Sequence, residues 1–172
     1  AGTDRSLVAH LARALGRIQV SRGRFVEART SFDAALRALR ASARSELEPR
    51  MFVLFADLDR LSGAPRRARD GYEAALAAAR GVGDRRGEWH ALTGLGAVLH
   101  YHLGDLAGAR ALYEASLSLA RLRCAAGDEG RLLGHLGALC HAEGRFAEAV
   151  VCLDAALAVH RRRRGAGICV FV

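Results

Sequence analysis

The sequence contains no lysine and no asparagine, so its 26 residues with a permanently basic side chain are all arginine. The codons of the two missing residues are rich in A, and their absence therefore indicates a GC-rich genome. This lowers the weight of the net charge of +8 as a functional signal. The four cysteines include no CxxC pair and form no regular disulfide framework, which favours a reduced, cytoplasmic setting.

Several functional classes lack the sequence features that they require. No run of about 18 apolar residues could span a bilayer, and no N-terminal stretch has the layout of a signal peptide. We therefore expect a soluble protein with no membrane partner. The chain has no Walker A run, no GxSxG, no HExxH and no Cys/His/Asp set at catalytic spacing, so we expect neither enzymatic activity nor a bound cofactor.

Nucleic acid is the least favoured partner. The arginines are spread along the chain among Glu and Asp residues, with one exception, the run at 161–164. Cations at the end of a helix are usually solvated, and they also suit the helix dipole. Binding of nucleic acid would have to depend on that one run.

What the sequence does contain is a repeat of about 40 residues. Gly23, Gly63, Gly104 and Gly144 are 40, 41 and 40 residues apart, and an alanine follows each of them five residues later. A fixed period in this range is typical of stacked helix pairs, each of which buries its apolar stripe against the next pair. The sequence therefore predicts an all-α fold.

Helix start and stop signals divide the chain into four pairs. Apolar residues recur at helical spacing, glycine ends the first helix of each pair, and Pro49 and Pro65 lie where a first helical turn tolerates proline. The predicted repeats cover residues 4–43, 47–80, 85–123 and 128–163, within an array over 1–164. We expect Trp89 to pack against the preceding pair, and Cys140 and Cys152 to lie in the core.

The third pair contains one extra residue. The positions of Gly96 and Gly104 differ by eight, whereas the corresponding glycines of the first and fourth pairs differ by seven. Within a helix, an insertion near His100, Tyr101 and His102 is most simply accommodated as a π-bulge, and such bulges are frequent at functional sites. An extended helix end or a lengthened turn would also accommodate it.

Residues 165–172 do not have the polar character with which a repeat array ends. The sequence before them, Arg163-Arg164-Gly165, is similar to the stretch that precedes the third pair. We therefore expect 165–172 to begin the first helix of a fifth repeat. An unstructured or vector-derived tail is the alternative.

The four repeats resemble the tetratricopeptide repeat in the order and spacing of their small and large residues. The matching residues are Leu15, Gly16, Gly23, Ala28, Phe32 and Ala35 in the first repeat and Leu136, Gly137, Gly144, Ala149, Leu153 and Ala156 in the fourth. The standard repeat has roughly 34 residues. The longer period here resembles that of kinesin light chain and of repeat arrays in bacterial regulators. The resemblance implies a right-handed superhelical solenoid of four antiparallel helix pairs.

The resemblance also implies a binding surface. In this family the first helix of each pair lines a concave groove that holds extended peptides or partner helices. Carried over position by position, the groove is basic and rich in histidine. Its predicted residues are His10, Arg13, Arg17, Arg50, Asp57, Arg60, His90, Tyr101, His102, Arg131, His135 and His141.

Arginine forms bidentate hydrogen bonds with carboxylates, so this groove predicts an acidic or carboxylate-bearing protein or peptide partner. Solvated positions in an arginine-rich chain would give the same pattern. We expect no metal site, because His100 and His102 are two residues apart and would point about 200° apart on a regular helix. A pH sensor near pH 6 would require His90, His102, His135 and His141 to lie together.

We therefore expect a non-catalytic protein- or peptide-binding scaffold that forms one segment of a larger bacterial signalling or regulatory protein. The mechanism would be the presentation of side chains on a rigid surface. The alternative is self-association, in which apolar faces at the two ends of the array pair between chains to form a homo-oligomer.

Overall fold

The computed structural model describes residues 2–41, 47–123 and 125–168, and their side chains except those of 2–5, 126 and 163–168. Eight α-helices and one π-helical segment form most of this described part, and none of its residues lies in a β-strand. The prediction of an all-α fold is confirmed. No described helix combines the length and the hydropathy that crossing a membrane requires.

The helices follow one another in antiparallel pairs joined by short turns. They are α1 (Gly2–Ser21), α2 (Phe25–Ala41), α3 (Glu48–Leu61), α4 (Pro65–Gly81), α5 (Arg85–Val98), the π segment (Leu99–Leu103), α6 (Leu106–Leu122), α7 (Ala126–Ala142) and α8 (Phe146–Ile168). The π segment confirms the bulge predicted from the extra residue of the third pair. The chain forms two compact units that divide inside α5, between Gly94 and Leu95.

The last helix is longer than predicted. It continues to Ile168, whereas the sequence placed its end near Arg163. Residues 169–172 lie outside the described part of the chain. The repeat boundaries, and the interpretation of 165–172 as a tail or as the start of a fifth repeat, stay predictions.

In the first unit, α1 packs on α2, α2 on α3, and α3 on α4. Its core is formed mainly by one face of α2, which is closed by α1 on one side and by α3 on the other. Phe32 meets Phe55 edge to face, with ring centroids 5.8 Å apart. The buried residues of this core are Ala9, Ala28, Phe32, Ala35, Leu39, Met51 and Leu58.

In the second unit, the π segment contacts α6, α6 packs on α7, and α7 packs on α8. Tyr113 of α6 and Leu132 and Leu139 of α7 are completely buried. The helices therefore pack in chain order within this unit too, as the repeat predicts.

Small residues allow the helices to approach closely. A Cβ atom added to Gly94 would lie 2.2 Å from the ring of Tyr72, and one added to Gly96 would lie 2.7 Å from the ring of Tyr113. In both cases an aromatic ring occupies the space that a side chain would need. The alanines that recur with the repeat are buried in the same way: Ala28, Ala68, Ala109 and Ala149.

The recurring glycines end the first helix of each pair, as predicted. Their φ angles lie between 71° and 82°, a left-handed conformation that is strained for residues with a side chain. These glycines are Gly23, Gly63, Gly104 and Gly144. Trp89 is buried, and its packing against the preceding pair stays a prediction. Cys140 is buried, as expected. The expectation for Cys152 was wrong: it is only half-buried, because no described helix covers the outer side of α8.

Candidate functional site

Three of the predicted groove residues meet in the first unit. His10, Arg13 and Arg50 line a small cavity of about 90 Å³, whose other walls are apolar side chains of α1, α2 and α3. The Nδ1 atom of His10 donates to the carbonyl oxygen of Ser6 at 2.8 Å. The cavity is therefore a place where basic groups meet a partly apolar wall.

Arg50 is already engaged within the chain. Its Nε and Nη2 atoms donate to the two carboxylate oxygens of Asp84 at 2.7 and 3.0 Å. Asp84 also accepts from the backbone N–H of Arg86 at 3.2 Å, as expected for a helix N-cap. The hydrogen bonds from Arg50 lower the pKa of the Asp84 carboxyl. This pair joins α3 to the turn before α5.

Asp57 and Arg60 form a second internal group around a tyrosine. The hydroxyl of Tyr72 donates to Asp57, and an Nη atom of Arg60 lies 3.7 Å from the same carboxylate. Burial raises the pKa of Asp57, which the hydrogen bond from Tyr72 and the charge of Arg60 oppose. Arg17 is exposed, and its charge lowers the pKa of Asp57 to a smaller extent. His90 is half-buried and meets Trp89 edge to face, with ring centroids 4.7 Å apart.

The second unit contains a larger grouping, which is built on the π segment. Here the helix widens, and its end is closed by Gly104 in the left-handed conformation. The widened turn places His100 in the interior, where it is only 9% exposed, and leaves Tyr101 at the surface, 55% exposed. The two rings stack with centroids 4.0 Å apart.

His100 is a buried polar group in an apolar setting. Its Nδ1 atom has no hydrogen-bond partner among the described residues. Burial lowers the pKa of its imidazole, and the charge of Glu143 opposes this only in part. The imidazole therefore favours its neutral form, and its Nδ1 atom is buried.

His135 completes the aromatic group. Its ring stacks on that of Tyr113 with centroids 5.1 Å apart, and it lies 6.3 Å from the ring of Tyr101. His141 meets Phe146 edge to face at 5.4 Å. Tyr101, His135 and His141, which the sequence placed in one groove, thus belong to one region of the second unit.

An open groove of about 630 Å³ lies beside this aromatic group, and we call it the α8 groove. Small residues of α7 and α8 form part of its wall, and its larger lining residues are His100, Tyr101, His141, Phe146, Val150 and Leu153. A concave apolar surface with a few polar atoms is typical of a binding site. His102 and Arg131 do not line it, and an Nη atom of Arg131 lies 3.5 Å from Asp128.

The α8 side of the groove was missed by the sequence analysis, which placed binding residues only on the first helix of each pair. Phe146, Val150 and Leu153 are 61%, 58% and 45% exposed. One signal could have found them. In the first three repeats the position of Val150 is an arginine: Arg29, Arg69 and Arg110.

The arrangement offers binding chemistry. Within the described part of the chain, no three or more His, Cys, Asp or Glu side chains are grouped to hold a metal ion. The grouped residues are aromatic, apolar and imidazole side chains, which can bury an apolar partner segment and hydrogen-bond to it.

Comparison with known proteins supports the fold. No family model and no curated protein matches the sequence. The crystal structure of BtubC (BKLC) from P. vanneervenii is similar, with a TM-score of 0.76 and 20% identity over 94% of this chain. This chain spans 66% of the length of BtubC. The crystal structure of MamA covers 87% of this chain at 17% identity, with a TM-score of only 0.39. The comparisons therefore show the fold, an all-α helical repeat that this chain shares with BtubC.

Proposed function

We propose that this chain is a non-catalytic protein-binding scaffold, and that its partner lies in the α8 groove. The observation that carries the proposal is the groove itself, about 630 Å³ of open space beside exposed apolar side chains. Isolated exposed apolar residues are ordinary, but a contiguous patch next to a concave wall is typical of an interaction site.

Two further features support a protein partner. Tyr101 is a large, rigid and half-exposed side chain at the edge of the groove, and aromatic residues of this kind supply much of the binding energy in interfaces. The helices that form the wall pack on each other in chain order, so the groove exists before binding and the partner meets little reorganisation cost.

Selection from a library of displayed helical peptides tests this proposal. Peptides selected on the wild-type chain should lose binding to the Val150→Glu variant, because the substitution places a charge in the groove. The matched control is Val26→Glu, which changes a 79% exposed valine on α2. Selected peptides that bind both variants equally well would place the binding surface elsewhere.

The basic surface of the first unit is a finer part of the proposal. Arg13 and Arg17 are basic groups that no described carboxylate engages through a hydrogen bond or ion pair, and Arg13 shares a cavity with His10. An acidic peptide on this surface would bind more weakly to an Arg13→Ala, Arg17→Ala variant and at higher salt. That the chain acts as part of a larger bacterial regulatory protein in the cytoplasm is a proposal that rests on the sequence resemblance alone.

Self-association is a second candidate function, and one observation favours it. Leu7, Leu11, Leu15 and Ile18 form a stripe along α1 and are 49–61% exposed. If such stripes pair between chains, sedimentation velocity will show a mass that rises with concentration and a Leu15→Glu variant that stays monomeric. A wild-type chain that is monomeric at all concentrations would exclude this function.

A further inference from the structure

An ion pair recurs with the helical repeat. In each of three steps, an arginine in the last turn of one helix binds a glutamate in the first turn of the next helix along the chain. The pairs are Arg40–Glu48 at 3.2 Å, Arg80–Glu88 at 2.8 Å and Arg121–Glu129 at 2.9 Å. Both the arginines and the glutamates are 40 and 41 residues apart.

The fourth arginine of this series has no such glutamate within the described part of the chain. Arg161 follows Arg121 by 40 residues and lies on α8. It is exposed, and it forms no ion pair or hydrogen bond with the residues that the structure describes. In the earlier repeats the glutamate that binds this arginine lies in the first turn of the next helix.

The apolar face of α8 is uncovered in the same way. Leu153 and Leu157 are 45% and 51% exposed, whereas Tyr113 and Leu117, their counterparts on α6, are 0% and 8% exposed. On α6 this face is covered by α7, whose His135 stacks on Tyr113. One side of α8 carries Val150, Leu157 and Arg161, because residues at this spacing lie within about 40° of each other around the helix axis.

The two covering helices, α3 and α7, show what such a face accepts. Each has a glutamate in its first turn and apolar residues three, seven and ten positions later. The small residue at the eighth position lies against the second helix of its own pair. The residues are Glu48, Met51, Phe55, Ala56 and Leu58 in α3, and Glu129, Leu132, Leu136, Gly137 and Leu139 in α7. The aligned apolar residues are buried or half-buried in both helices.

One difference on α8 adds a specific requirement. Arg29 of α2 binds Asp59 near the end of α3, and Arg110 of α6 binds Glu143, which directly follows α7. The corresponding residue of α8 is Val150, which cannot neutralise a carboxylate. A helix that covers α8 should therefore be apolar or uncharged at its end.

We propose that the exposed face of α8, from Val150 to Arg161, binds a helix of a partner protein with this pattern: a glutamate in the first turn, apolar residues three, seven and ten positions later, and no carboxylate in the last turn. Arg161 binds the glutamate, and the residue at position six packs against Leu153, as His135 of α7 packs on Tyr113. The inference rests on the proposed function, because the α8 groove is part of this face.

A partner protein fits this face better than a second copy of the chain. The helix α1 carries Leu11, Leu15 and Ile18 at the positions of the apolar pattern. In place of the glutamate, however, it has Val8. A second copy docked through α1 would leave Arg161 without a carboxylate.

Peptide binding to the complete chain tests the proposal. The probe is a fluorescent peptide with the sequence of residues 47–62, held helical by a lactam bridge on its outer face and carrying Asp59→Gln. Fluorescence anisotropy should show binding that Leu153→Glu abolishes. Arg161→Glu should weaken binding about tenfold, because it replaces an exposed attraction with a repulsion of similar size.

Reversing the charge on both partners provides the decisive comparison. A Glu48→Arg peptide should bind the wild-type chain about tenfold more weakly and bind the Arg161→Glu variant to within about twofold of the original pair. The matched control is a bridged peptide with the sequence of residues 4–22, in which valine replaces the glutamate. Its binding should be weaker than that of the probe and unaffected by Arg161→Glu.

The outcomes separate this proposal from the proposed function. If Leu153→Glu abolishes binding while Arg161→Glu changes nothing, the groove stands and the recognition of glutamate is overturned. If neither peptide binds at 1 mM (about the weakest affinity of interest), this proposal is overturned, and the peptide selection described above decides the proposed function separately. Concentration-dependent dimers that Leu15→Glu and Leu153→Glu each abolish would identify a second copy as the occupant and overturn the proposal. Circular dichroism confirms that each variant folds.

Discussion

Replacing Gly94 with alanine should destabilise the first unit. The added Cβ atom would lie 2.2 Å from one ring atom of Tyr72 and 2.5 Å from another. Because Tyr72 is completely buried and its hydroxyl is hydrogen-bonded to Asp57, the ring has no open space into which it can turn. The helices α4 and α5 would have to separate to accept the methyl group.

The magnitude follows from two opposing effects. Overpacking a close contact costs typically about 1–3 kcal/mol, and a contact as short as this one belongs near the upper end. Alanine in a helix interior is favoured over glycine by about 1 kcal/mol. The net loss of unfolding free energy for Gly94→Ala is therefore about 2 kcal/mol.

Gly134→Ala is the matched control. Gly134 also lies within a helix, α7, but an added Cβ atom would have no neighbour within 4 Å. Only the helix-propensity gain remains, so this variant should be more stable than the wild type by about 1 kcal/mol. The two variants should differ by about 3 kcal/mol, or by about 6–12 °C in Tm.

Urea denaturation followed by circular dichroism and by the fluorescence of Trp89, which lies in the first unit, measures both effects. The variants should show midpoints on opposite sides of the wild type. If Gly94→Ala were as stable as Gly134→Ala, the close packing of glycine against an aromatic ring would not be what holds these helices together.

Three further predictions concern charge, titration and backbone conformation. Asp84→Asn should lower the unfolding free energy at pH 7 by about 1 kcal/mol, a modest value because Arg50 is partly exposed. The pKa of Asp84 in the folded chain lies below the ordinary 3.8, so its contribution to stability is present above pH 3.8 and is lost as the pH falls through the folded pKa. Denaturation at pH 7 and at pH 3 should therefore show that the difference in unfolding free energy between wild type and variant is smaller at pH 3. The pKa of folded His100 lies below 6.5, so the unfolded chain binds a proton first and the wild type should lose stability as the pH falls below about 6.5. His100→Leu should show a smaller loss over the same range, and proton NMR should place the His100 titration below pH 6.5. Gly104→Ala should destabilise by roughly 1 kcal/mol, because its φ is 74°, whereas thermal denaturation of Gly81→Ala, with open space and no positive φ, should show no loss.

The helices and their ends follow from the sequence, because local signals determine them. Gly63 and Gly144 adopt a left-handed conformation that favours glycine, so the sequence marks these helix ends. The spacing of apolar residues determines which face of each helix is buried. The π segment was predictable for the same reason: one extra residue between Gly96 and Gly104 has to be accommodated locally.

The use of the charged residues was not predictable in this way. Arg50 was expected to face a partner, but Asp84, 34 residues later, engages it. Sequence spacing does not show which carboxylate a long arginine side chain reaches, since several lie within its range. The same holds for Asp57, whose hydrogen bond comes from Tyr72 on the next helix.

The α8 groove was not predicted because a repeat pattern gives the second helix of every pair the same expected burial. Leu153 occupies the position of the buried Phe32 and Tyr113, and its sequence context alone suggests burial. Its exposure depends on whether another helix lies over α8, which is a property of the packing of helices and not of α8 itself. The change from Arg110 to Val150 is the local difference that marks this face.

Hydrogen–deuterium exchange with mass spectrometry, with and without the bridged peptide of residues 47–62, will show which surface of the chain binds the peptide. Peptide binding should slow exchange in α8 between Phe146 and Arg161 and at the end of α7, with no change in α1 to α4. Slower exchange confined to α1 to α4, with α8 unchanged, would contradict the claim that the uncovered face of α8 is the binding surface.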